Sequence, residues 1–413
     1  MINVWRIALI CVAGFLAWRI VATGLGAYYV DRMKAGDESA LQQVLTWQPE
    51  HPFAQLALGI RLMSEDPERA QALLARAYRA NPTDPRPLII LASQFAAADD
   101  TTRANELMDT AASLAPVDPR IQEQVAAYWA DRGDAQRALS HLSKVMEAAP
   151  AERRRFHPTL LKLAADPVAR GLLGPYALLP PPWWESFFKY AAHKAVTLEP
   201  VRFLYNVRRD AEATPLTDDE RAAYVGRLQR DGLVSEAYLV WINGLDASER
   251  QQLGLIYNGG FELELSNEGF GWRVATHKRV DIRSQATYGA VAERSLKLDF
   301  RALENRFRHL SQPLFLNSGI YRLSGKARAD SLLTKGGLQW QVNCLLPESH
   351  RLGESKRFLG SSEWADFEFD FEVPASCESQ ELRLVSSGTR SFELKIDGNL
   401  WFDDMRIGRI SVL

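Results

Sequence analysis

Three polar residues near the C-terminus, Gln339, Gln341 and Asn343, have the spacing of side chains on one face of a β-strand. They alternate with apolar residues, and successive side chains of a strand point to opposite faces, so all three amides are predicted to share one solvated face. Amides both donate and accept hydrogen bonds, which suits a partner rich in hydroxyl groups. Ordinary solvated decoration of a strand is the alternative interpretation.

Residues with catalytic or zinc-binding spacing are absent from the sequence. The seven histidines are scattered without HExxH spacing, and the sequence contains no GxSxG motif, P-loop or dinucleotide fingerprint. The adjacent carboxylates Asp403 and Asp404 would point to opposite faces of a strand and could not straddle one bond. We therefore expect a protein that is not an enzyme.

Two of the three cysteines, Cys344 and Cys377, are predicted to form a disulfide. Cys344 shares the dry face of its strand with Trp340, and Cys377 follows Pro374, where a returning loop could bring the sulfurs together. The bond is expected if this region lies in an oxidising compartment such as the periplasm. Two free thiols in a cytosolic domain are the alternative.

The composition predicts a globular chain with more than one domain. It has 413 residues, of which 46% are hydrophobic and 24% charged, enough for two or three cores. The formal net charge is -2, so no overall field would attract nucleic acid.

The N-terminus, residues 1–35, is predicted to be a membrane anchor. Ile7 to Trp18 is apolar, and the apolar character resumes after Arg19 as far as Val30. The apolar residues outweigh the cost of about 2.5–3.5 kcal/mol for a central arginine. A cleaved signal sequence and a buried soluble helix are the alternatives, and the flanking charges do not decide the orientation.

Residues 36–150 contain a repeat of 34 residues, with an apolar residue four positions after each repeated alanine. The recurring positions are Ala70, Ala104 and Ala138, and Pro82, Pro116 and Pro150. From about Glu38 to Pro150 this pattern resembles the tetratricopeptide-repeat (TPR) family. The resemblance implies an α-solenoid of paired helices whose concave face binds protein; a spacer array without a ligand is the alternative.

Residues 151–254 are predicted to be a helical extension with one degenerate repeat around Asp218 to Trp241. An aromatic cluster follows Pro182 and could either dock on a membrane interface or fill a core. The cluster comprises Trp183, Trp184, Phe187, Phe188 and Tyr190.

Residues 255–413 change to a period of two, which predicts at least six strands in an antiparallel β-sandwich. The segments Asn258 to Glu262 and Leu400 to Ile407 resemble the first and last strands of jelly-roll carbohydrate-binding modules and galactose-binding-like domains. The fold class is therefore multidomain: a transmembrane helix, a TPR-like solenoid and a jelly roll.

That resemblance implies two further sites. The family often holds a structural calcium between its first and last strands, which would make Glu262 and Asp404 ligands, with Asp403 as a substitute; turn capping and pairing with Arg406 is the alternative. A glycan would lie against Gln339, Gln341 and Asn343, and Trp364 could stack on a sugar ring. No other cofactor is expected.

Together these features predict a single-pass protein of the bacterial inner membrane with most of the chain in the periplasm. Its expected role is a non-enzymatic scaffold that organises surface polysaccharide assembly or export, with protein partners on the solenoid and a polysaccharide on the jelly roll. A scaffold that binds protein alone, with the jelly roll as a docking surface, is the alternative.

Overall fold

A computed structural model describes residues 2–37, 39–388 and 390–410 of the chain. Glu38, where the predicted repeat array begins, and residues 411–413, the end of the predicted sandwich, lie outside the described residues, as do Met1 and Thr389. The chain divides into two compact units. The first contains Met1–Phe156 with Pro181–Trp183, and the second contains His157–Pro180 with Trp184–Leu413.

The first unit begins with a long apolar helix, α1 (Ile2–Lys34). Among the described residues, Trp5–Lys34 is the one helical stretch long and apolar enough to cross a membrane, and a signal sequence has the same length and composition. Large apolar side chains on its N-terminal part are exposed to solvent, including Trp5, Ile10, Phe15 and Ile20. Among the described residues, no protein core covers this part of the helix.

The C-terminal part of α1 packs within the first unit. Val30 lies in an apolar cluster with Leu41 and Val44 of the next helix, α2 (Ala40–Trp47). Gln48 Nε2 donates to the carbonyl oxygen of Ala22 at 3.4 Å. The helix is thus held from about Ala22 onward.

Six further helices follow in the first unit, joined by short loops that make each successive pair a helical hairpin. They are α3 (Pro52–Leu62), α4 (Pro67–Ala80), α5 (Arg86–Ala97), α6 (Thr101–Leu114), α7 (Pro119–Asp131) and α8 (Ala135–Ala148). Asp118 caps α7 by accepting from the backbone N–H of Arg120 at 2.9 Å, as its position before Pro119 predicts.

The three repeated alanines lie at helix contacts. Ala70 and Ala104 are 0% exposed and Ala138 is 6% exposed. They lie on α4, α6 and α8, the second helices of successive hairpins, so the expected burial is confirmed. Small side chains at these positions allow close approach of the neighbouring helix. The first unit is compatible with a helical repeat.

The second unit contains the remaining helices and the whole sandwich. The helices are α9 (Arg153–Ala165), which begins in the first unit, α10 (Gly174–Leu178), α11 (Trp184–Lys194), α12 (Glu199–Arg209), α13 (Asp218–Arg230), α14 (Val234–Gly244) and α15 (Ala247–Gln251). α13 and α14 pack as a hairpin around a turn at Gly232, whose φ of 77° favours glycine.

The aromatic cluster after Pro182 is core. Trp183 in the first unit is 0% exposed, and in the second unit Trp184, Phe187 and Phe188 are at most 1% exposed. These side chains cannot dock on a membrane while they are buried, so the core interpretation is correct for four of the five aromatic residues, and the fifth, Tyr190, is half-buried.

A buried ion pair joins α12 to α13. Arg208 Nε and Glu220 Oε1 lie 2.9 Å apart, and both side chains are 1% exposed. Arg208 also donates to the carbonyl oxygens of Thr214 and Pro215, while Glu220 accepts from Trp184 Nε1 at 2.8 Å. Both charges therefore have hydrogen-bond partners inside the protein.

In the part of the chain that the structure describes, ten strands form two five-stranded sheets in which each strand pairs antiparallel to its neighbours. The strands are β1 (Arg273–Val274), β2 (Val280–Ala286), β3 (Arg294–Leu303), β4 (Leu310–Leu314), β5 (Gly319–Thr334), β6 (Leu338–Leu346), β7 (His350–Glu354), β8 (Gly360–Val373), β9 (Ser379–Ser386) and β10 (Ile396–Arg409). One sheet has the order β1-β4-β9-β6-β7 and the other β2-β3-β10-β5-β8. The predicted antiparallel sandwich is confirmed.

The sandwich core is built from alternate residues of these strands, as the period of two predicts. Leu298 on β3, Trp340 on β6 and Leu384 on β9 are all 0% exposed and belong to one apolar cluster. Burial of such large side chains contributes about 1.5–3 kcal/mol each and fixes which face of each strand points to solvent.

Helix α14 packs on the sandwich within the second unit. The ring centroid of Trp241 lies 5.0 Å from that of Tyr257 and 5.5 Å from that of Phe270. Gln229 of α13 donates to the carbonyl oxygen of Gly269 at 3.0 Å. The sandwich thus shares apolar contacts with these helices.

Candidate functional site

A groove of about 810 Å³ lies on the solvent face of the sheet β1-β4-β9-β6-β7. Its floor includes Gln339, Gln341 and Asn343 of β6, whose alternate neighbours Trp340 and Val342 are buried in the core. Gln341 and Asn343 are half-buried, whereas Gln339 is 4% exposed, so the predicted solvent exposure is wrong for Gln339. The other lining residues are Arg306, Arg308, Leu345, Ser349, Arg351, Glu354, Arg357, Glu381, Arg383, Val385, Ser386, Ser387 and Gly388. The structure thus brings three of the sequence-predicted residues together.

The strand register places a charged partner beside each central amide. Gln341 lies opposite Arg383 of β9 on one side and Glu354 of β7 on the other. In the next outward-facing row, Asn343 lies between Glu381 and Arg351. Directly opposite side chains on one face of a sheet are close enough to interact.

A hydrogen-bond network fixes the amides of this groove. Gln339 Nε2 and Gln341 Nε2 both donate to Glu354 Oε2, which also accepts from Arg351 Nη1 at 2.5 Å. Ser387 Oγ donates to Gln339 Oε1 at 2.7 Å. Glu354 therefore orients two amides and one guanidinium at once.

Asn343 differs from the two glutamines. Its side chain has no hydrogen-bond partner among the residues that the structure describes, although it is only half-buried and lines the groove. A side-chain amide offers two donors and one acceptor with two lone pairs. The full hydrogen-bonding capacity of Asn343 is thus open to water or a ligand.

On the β9 side, Arg383 and Glu381 form a pair along the strand. Arg383 Nε and Nη2 each donate to the Glu381 carboxylate at 2.7 Å, a bidentate arrangement. Arg383 Nη1 also donates to the carbonyl oxygen of Arg308 at 3.3 Å. These contacts tie β9 to the segment that precedes β4.

Most of the charged groove residues were missed by sequence reasoning. Glu381 and Arg383 flank Leu382 on a predicted strand, so the period of two could have placed them on the outward face. Glu354 and Arg351 had no such signal, because the sequence His350–Glu354 shows no apolar alternation.

Trp364, the fourth predicted glycan residue, lies away from the groove. It belongs to β8 in the other sheet and is half-buried, with its ring against Gly289. The part of the groove lining that the structure describes contains no Trp, Tyr or Phe. The groove can therefore act through hydrogen bonds and charge, with no aromatic stacking of its own.

The acidic residues of the predicted calcium site have partners of their own. Glu262 Oε1 accepts from the backbone N–H of Arg294 at 3.1 Å, and Asp404 Oδ1 lies 2.6 Å from Arg406 Nη2. Asp403 is 1% exposed and accepts from the N–H groups of Val291 and Asp404. Burial raises the pKa of the Asp403 carboxyl, and the negative charges of Asp404 and Glu262 raise it further.

The described residues contain no group of three or more His, Cys, Asp or Glu side chains that could hold a metal ion. Calcium takes six to eight oxygen ligands, so Glu262 and Asp404 would need backbone carbonyl oxygens to complete its shell, and the calcium site stays a prediction. The arrangement agrees with the alternative interpretation, in which Asp404 pairs with Arg406.

Cys344 and Cys377 are bonded through their sulfur atoms in the structure, with their α-carbons 5.8 Å apart. Both residues are buried in the sandwich core. The bond joins β6 to the segment that leads into β9, so it closes the chain that carries β7, the outer edge of the groove. Cys11 is a free cysteine on the exposed surface of α1.

No family model matches the chain, and no curated protein matches it. Solved structures with partial similarity include a putative sugar binding protein from Bacteroides thetaiotaomicron, with 13% identity over 38% of this chain and 100% of that one, at a TM-score of 0.30. The module TmCBM61, solved with β-1,4-galactotriose, has 20% identity over 38% of this chain and 99% of that one, at a TM-score of 0.27.

Another solved structure with partial similarity is MamA, with 18% identity over 33% of this chain and 81% of that chain, at a TM-score of 0.26. Values of this size identify neither a family nor a ligand.

Proposed function

We propose that this chain is a membrane-anchored, non-enzymatic binding protein whose groove on the sandwich holds a polysaccharide. The groove carries the proposal: amide, carboxylate and guanidinium groups line a concave sheet surface, with Asn343 open to a ligand. These groups together donate to and accept from the hydroxyl groups of a sugar chain. The volume of about 810 Å³ lies within the range of ligand sites, roughly 300–1,000 Å³.

The arrangement of the first unit supports a second binding role. Its stacked hairpins, with buried alanines at each joint, suit a TPR array, and arrays of this kind bind protein segments on their concave face. We assign protein partners to that face. The chain would then connect a polysaccharide to envelope proteins that assemble or export it.

The anchor is assigned to the exposed N-terminal part of α1. Because Gln48 and the cluster around Val30 hold the helix from about Ala22 onward, the residues before Ala22 are the ones free to enter lipid. Residues 2–21 span about 30 Å at about 1.5 Å per residue, the thickness of a bilayer core. Arg19 then lies near the interface, where its guanidinium can reach water and costs less than at the centre.

The disulfide supports the compartment that we propose. Bonds between cysteines persist in oxidising compartments, so the Cys344–Cys377 bond supports a periplasmic location for the second unit. The proposed protein is single-pass, in a bacterial inner membrane, with most of the chain in the periplasm.

We expect the full-length protein to remain in the membrane pellet after carbonate extraction, and a variant lacking residues 2–21 to be released as a folded soluble protein. This variant keeps Ala22 and Val30, whose contacts belong to the first unit. The intact mass of the purified full-length protein should show that the N-terminus has not been cleaved. A mature protein that begins near residue 25 would establish a signal sequence and end the anchor assignment.

For the groove, we expect full-length protein in detergent to bind polysaccharides on a glycan array, and Gln341→Ala with Asn343→Ala to weaken binding by tenfold or more. Tenfold corresponds to about 1.4 kcal/mol, the size expected for two lost hydrogen bonds. Gln285→Ala is the matched control, because this half-buried amide lies on β2 in the other sheet. Failure to bind any glycan would favour the scaffold that binds protein alone.

A further inference from the structure

The groove has an excess of positive charge that the overall composition does not indicate. Five arginines and two glutamates belong to its described lining, although the whole chain has a formal net charge of -2. Both glutamates already bind arginines inside the groove: Glu354 binds Arg351, and Glu381 binds Arg383.

Arg306, Arg308 and Arg357 are the arginines left over. All three are exposed, and none forms an ion pair with a carboxylate in the described part of the chain. Exposed arginines are common elsewhere on the protein, so the number of unpaired arginines in the groove does not by itself indicate a ligand. The positions in which the fold holds these three arginines do.

Two buried phenylalanines hold these arginines at the groove. Phe307 is 0% exposed, and its backbone carbonyl accepts from Ser386 N–H at 3.1 Å while its N–H donates to Ser386 Oγ at 3.0 Å. Since neighbouring side chains of an extended segment point away from a buried one, Arg306 and Arg308 are directed to the solvent side.

Phe358 likewise directs the neighbouring Arg357 to the solvent side, on the β6 side of the groove. Phe358 is 7% exposed and exchanges backbone hydrogen bonds of 2.7 and 3.0 Å with Leu338, the first residue of β6. Leu338 in turn pairs with Ser386 of β9. One row of the fold therefore runs from Phe307 through Ser386 and Leu338 to Phe358.

Arg306 and Arg308 thus lie beside one end of this row and Arg357 beside the other. The row itself crosses one end of the groove. Three strand spacings separate the ends of the row, roughly 14 Å. Between them lie the hydroxyl of Ser387 and the amide of Gln339, which are hydrogen-bonded to each other. Gln339 is 4% exposed, so a ligand that crosses this end of the groove would meet guanidinium groups on both sides and the half-buried hydroxyl of Ser387 in the middle.

Guanidinium groups bind carboxylate and sulfate oxygens through charge-assisted, often bidentate hydrogen bonds. A neutral sugar chain would leave three arginines without anionic partners, and the described groove lining has no aromatic ring to stack on it. We infer that the ligand of this groove is an acidic polysaccharide, with carboxylate or sulfate groups bound by Arg306, Arg308 and Arg357. This inference rests on the proposed glycan binding.

Nucleic acid, the other common polyanion, fits this groove less well. Single-stranded nucleic acids are bound by aromatic platforms that stack on bases, and none lines the described groove. Glu354 and Glu381 would repel a continuous phosphate backbone, whereas their oxygens can accept from sugar hydroxyls between anionic groups.

The test compares ligands that differ in charge alone, on full-length protein in detergent. Polygalacturonate and its fully methyl-esterified form share one backbone, and only the first carries carboxylates. We expect the acidic form to bind at least tenfold more tightly at low salt, with the difference shrinking as the salt concentration rises. Chondroitin sulfate, which carries sulfates as well as carboxylates, is compared with desulfated chondroitin to measure the added effect of sulfate, and tighter binding of polygalacturonate than of its ester is the result that supports the inference.

The variant is Arg306→Gln with Arg308→Gln and Arg357→Gln, which should remove the preference for the acidic form and leave binding of the ester unchanged. The matched control is Arg279→Gln with Arg301→Gln and Arg409→Gln: three exposed arginines of the sandwich outside the groove lining, with the same change in net charge. The control should keep the preference.

Three results would overturn the inference. Equal binding of acid and ester would refute the acidic ligand while the proposed glycan binding stands, and this comparison needs no variant. Equal loss of the preference in both triple variants would assign it to net charge. Binding of single-stranded DNA as tight as that of the acidic glycans would refute a polysaccharide ligand. If no glycan of either charge binds, the proposed function itself fails.

Discussion

Replacing Arg208 with methionine is expected to destabilise the second unit by roughly 3–5 kcal/mol, the usual effect of leaving a buried charge without its partner. Glu220, its partner, is 1% exposed, so water cannot replace the lost guanidinium. Methionine fills most of the vacated volume, and the effect therefore reports the unpaired charge. Arg208 also binds two carbonyl oxygens, which would lose their donors in the same variant.

The chain has two compact units, so its global unfolding need not be two-state. We therefore measure the free energy of local opening by hydrogen exchange of the amides in α12 and α13. Arg209→Met is the control, because Arg209 lies on the same helix with a side chain that is 58% exposed. It should change the opening free energy by about 0.5 kcal/mol or less. A change of similar size in both variants would contradict the buried-pair argument.

A double replacement separates charge from packing. With Arg208→Met and Glu220→Gln together, no buried charge is left. The glutamine oxygen can still accept from Trp184 Nε1, and the hydrogen bond from the Thr217 N–H to the second carboxylate oxygen is lost. Most of the loss should therefore be recovered. If the double variant is as unstable as Arg208→Met alone, the lost hydrogen bonds to carbonyl oxygens, and not the unpaired carboxylate, would be the cause.

The sequence predicted those parts of the fold that depend on local periodicity. A spacing of 34 residues placed Ala70, Ala104 and Ala138 at buried helix contacts, because each repeat packs on its neighbour in the same way. Alternation on β6 placed Gln339, Gln341 and Asn343 together on one face, because side chains of a strand alternate by geometry alone.

The remainder of the groove depends on pairing between strands that are distant in sequence. Glu354 reaches Gln339 and Gln341 because β7 pairs with β6. The local sequence of β7 does not predict that pairing. Long-range register is set by the packed core and the turns, so sequence alone leaves several arrangements open.

One signal for the charged end of the groove was present in the sequence. Arg306, Phe307 and Arg308 alternate charged, aromatic and charged, which predicts a buried ring between two outward arginines. The sequence could not indicate that Phe358 lies across the same row from Phe307, since that depends on the pairs Leu338–Ser386 and Leu338–Phe358.

Breaking the bond between Cys344 and Cys377 is expected to destabilise the sandwich by roughly 3–4 kcal/mol in the chain-entropy account of disulfides. The two cysteines are 33 residues apart, and the closed loop restricts the unfolded chain. Thiol labelling of denatured, unreduced protein taken directly from the native envelope should modify Cys11 alone. Cys11 is free, so it serves as an internal control for the labelling reaction. Labelling of Cys344 and Cys377 as well would remove the chemical support for a periplasmic location.

The same bond should affect the groove, because the loop that it closes contains β7. β7 is the outermost strand of its sheet and pairs only with β6 within the described residues, so the chain on either side of it has to hold it in place. In Cys344→Ala with Cys377→Ala, we expect Arg351 and Glu354 to lose their fixed positions and glycan binding to weaken, even at temperatures where the sandwich stays folded. Hydrogen exchange should then rise first in β7 and the end of β6. Unchanged exchange in β7 together with unchanged binding would mean that pairing to β6 alone positions Glu354.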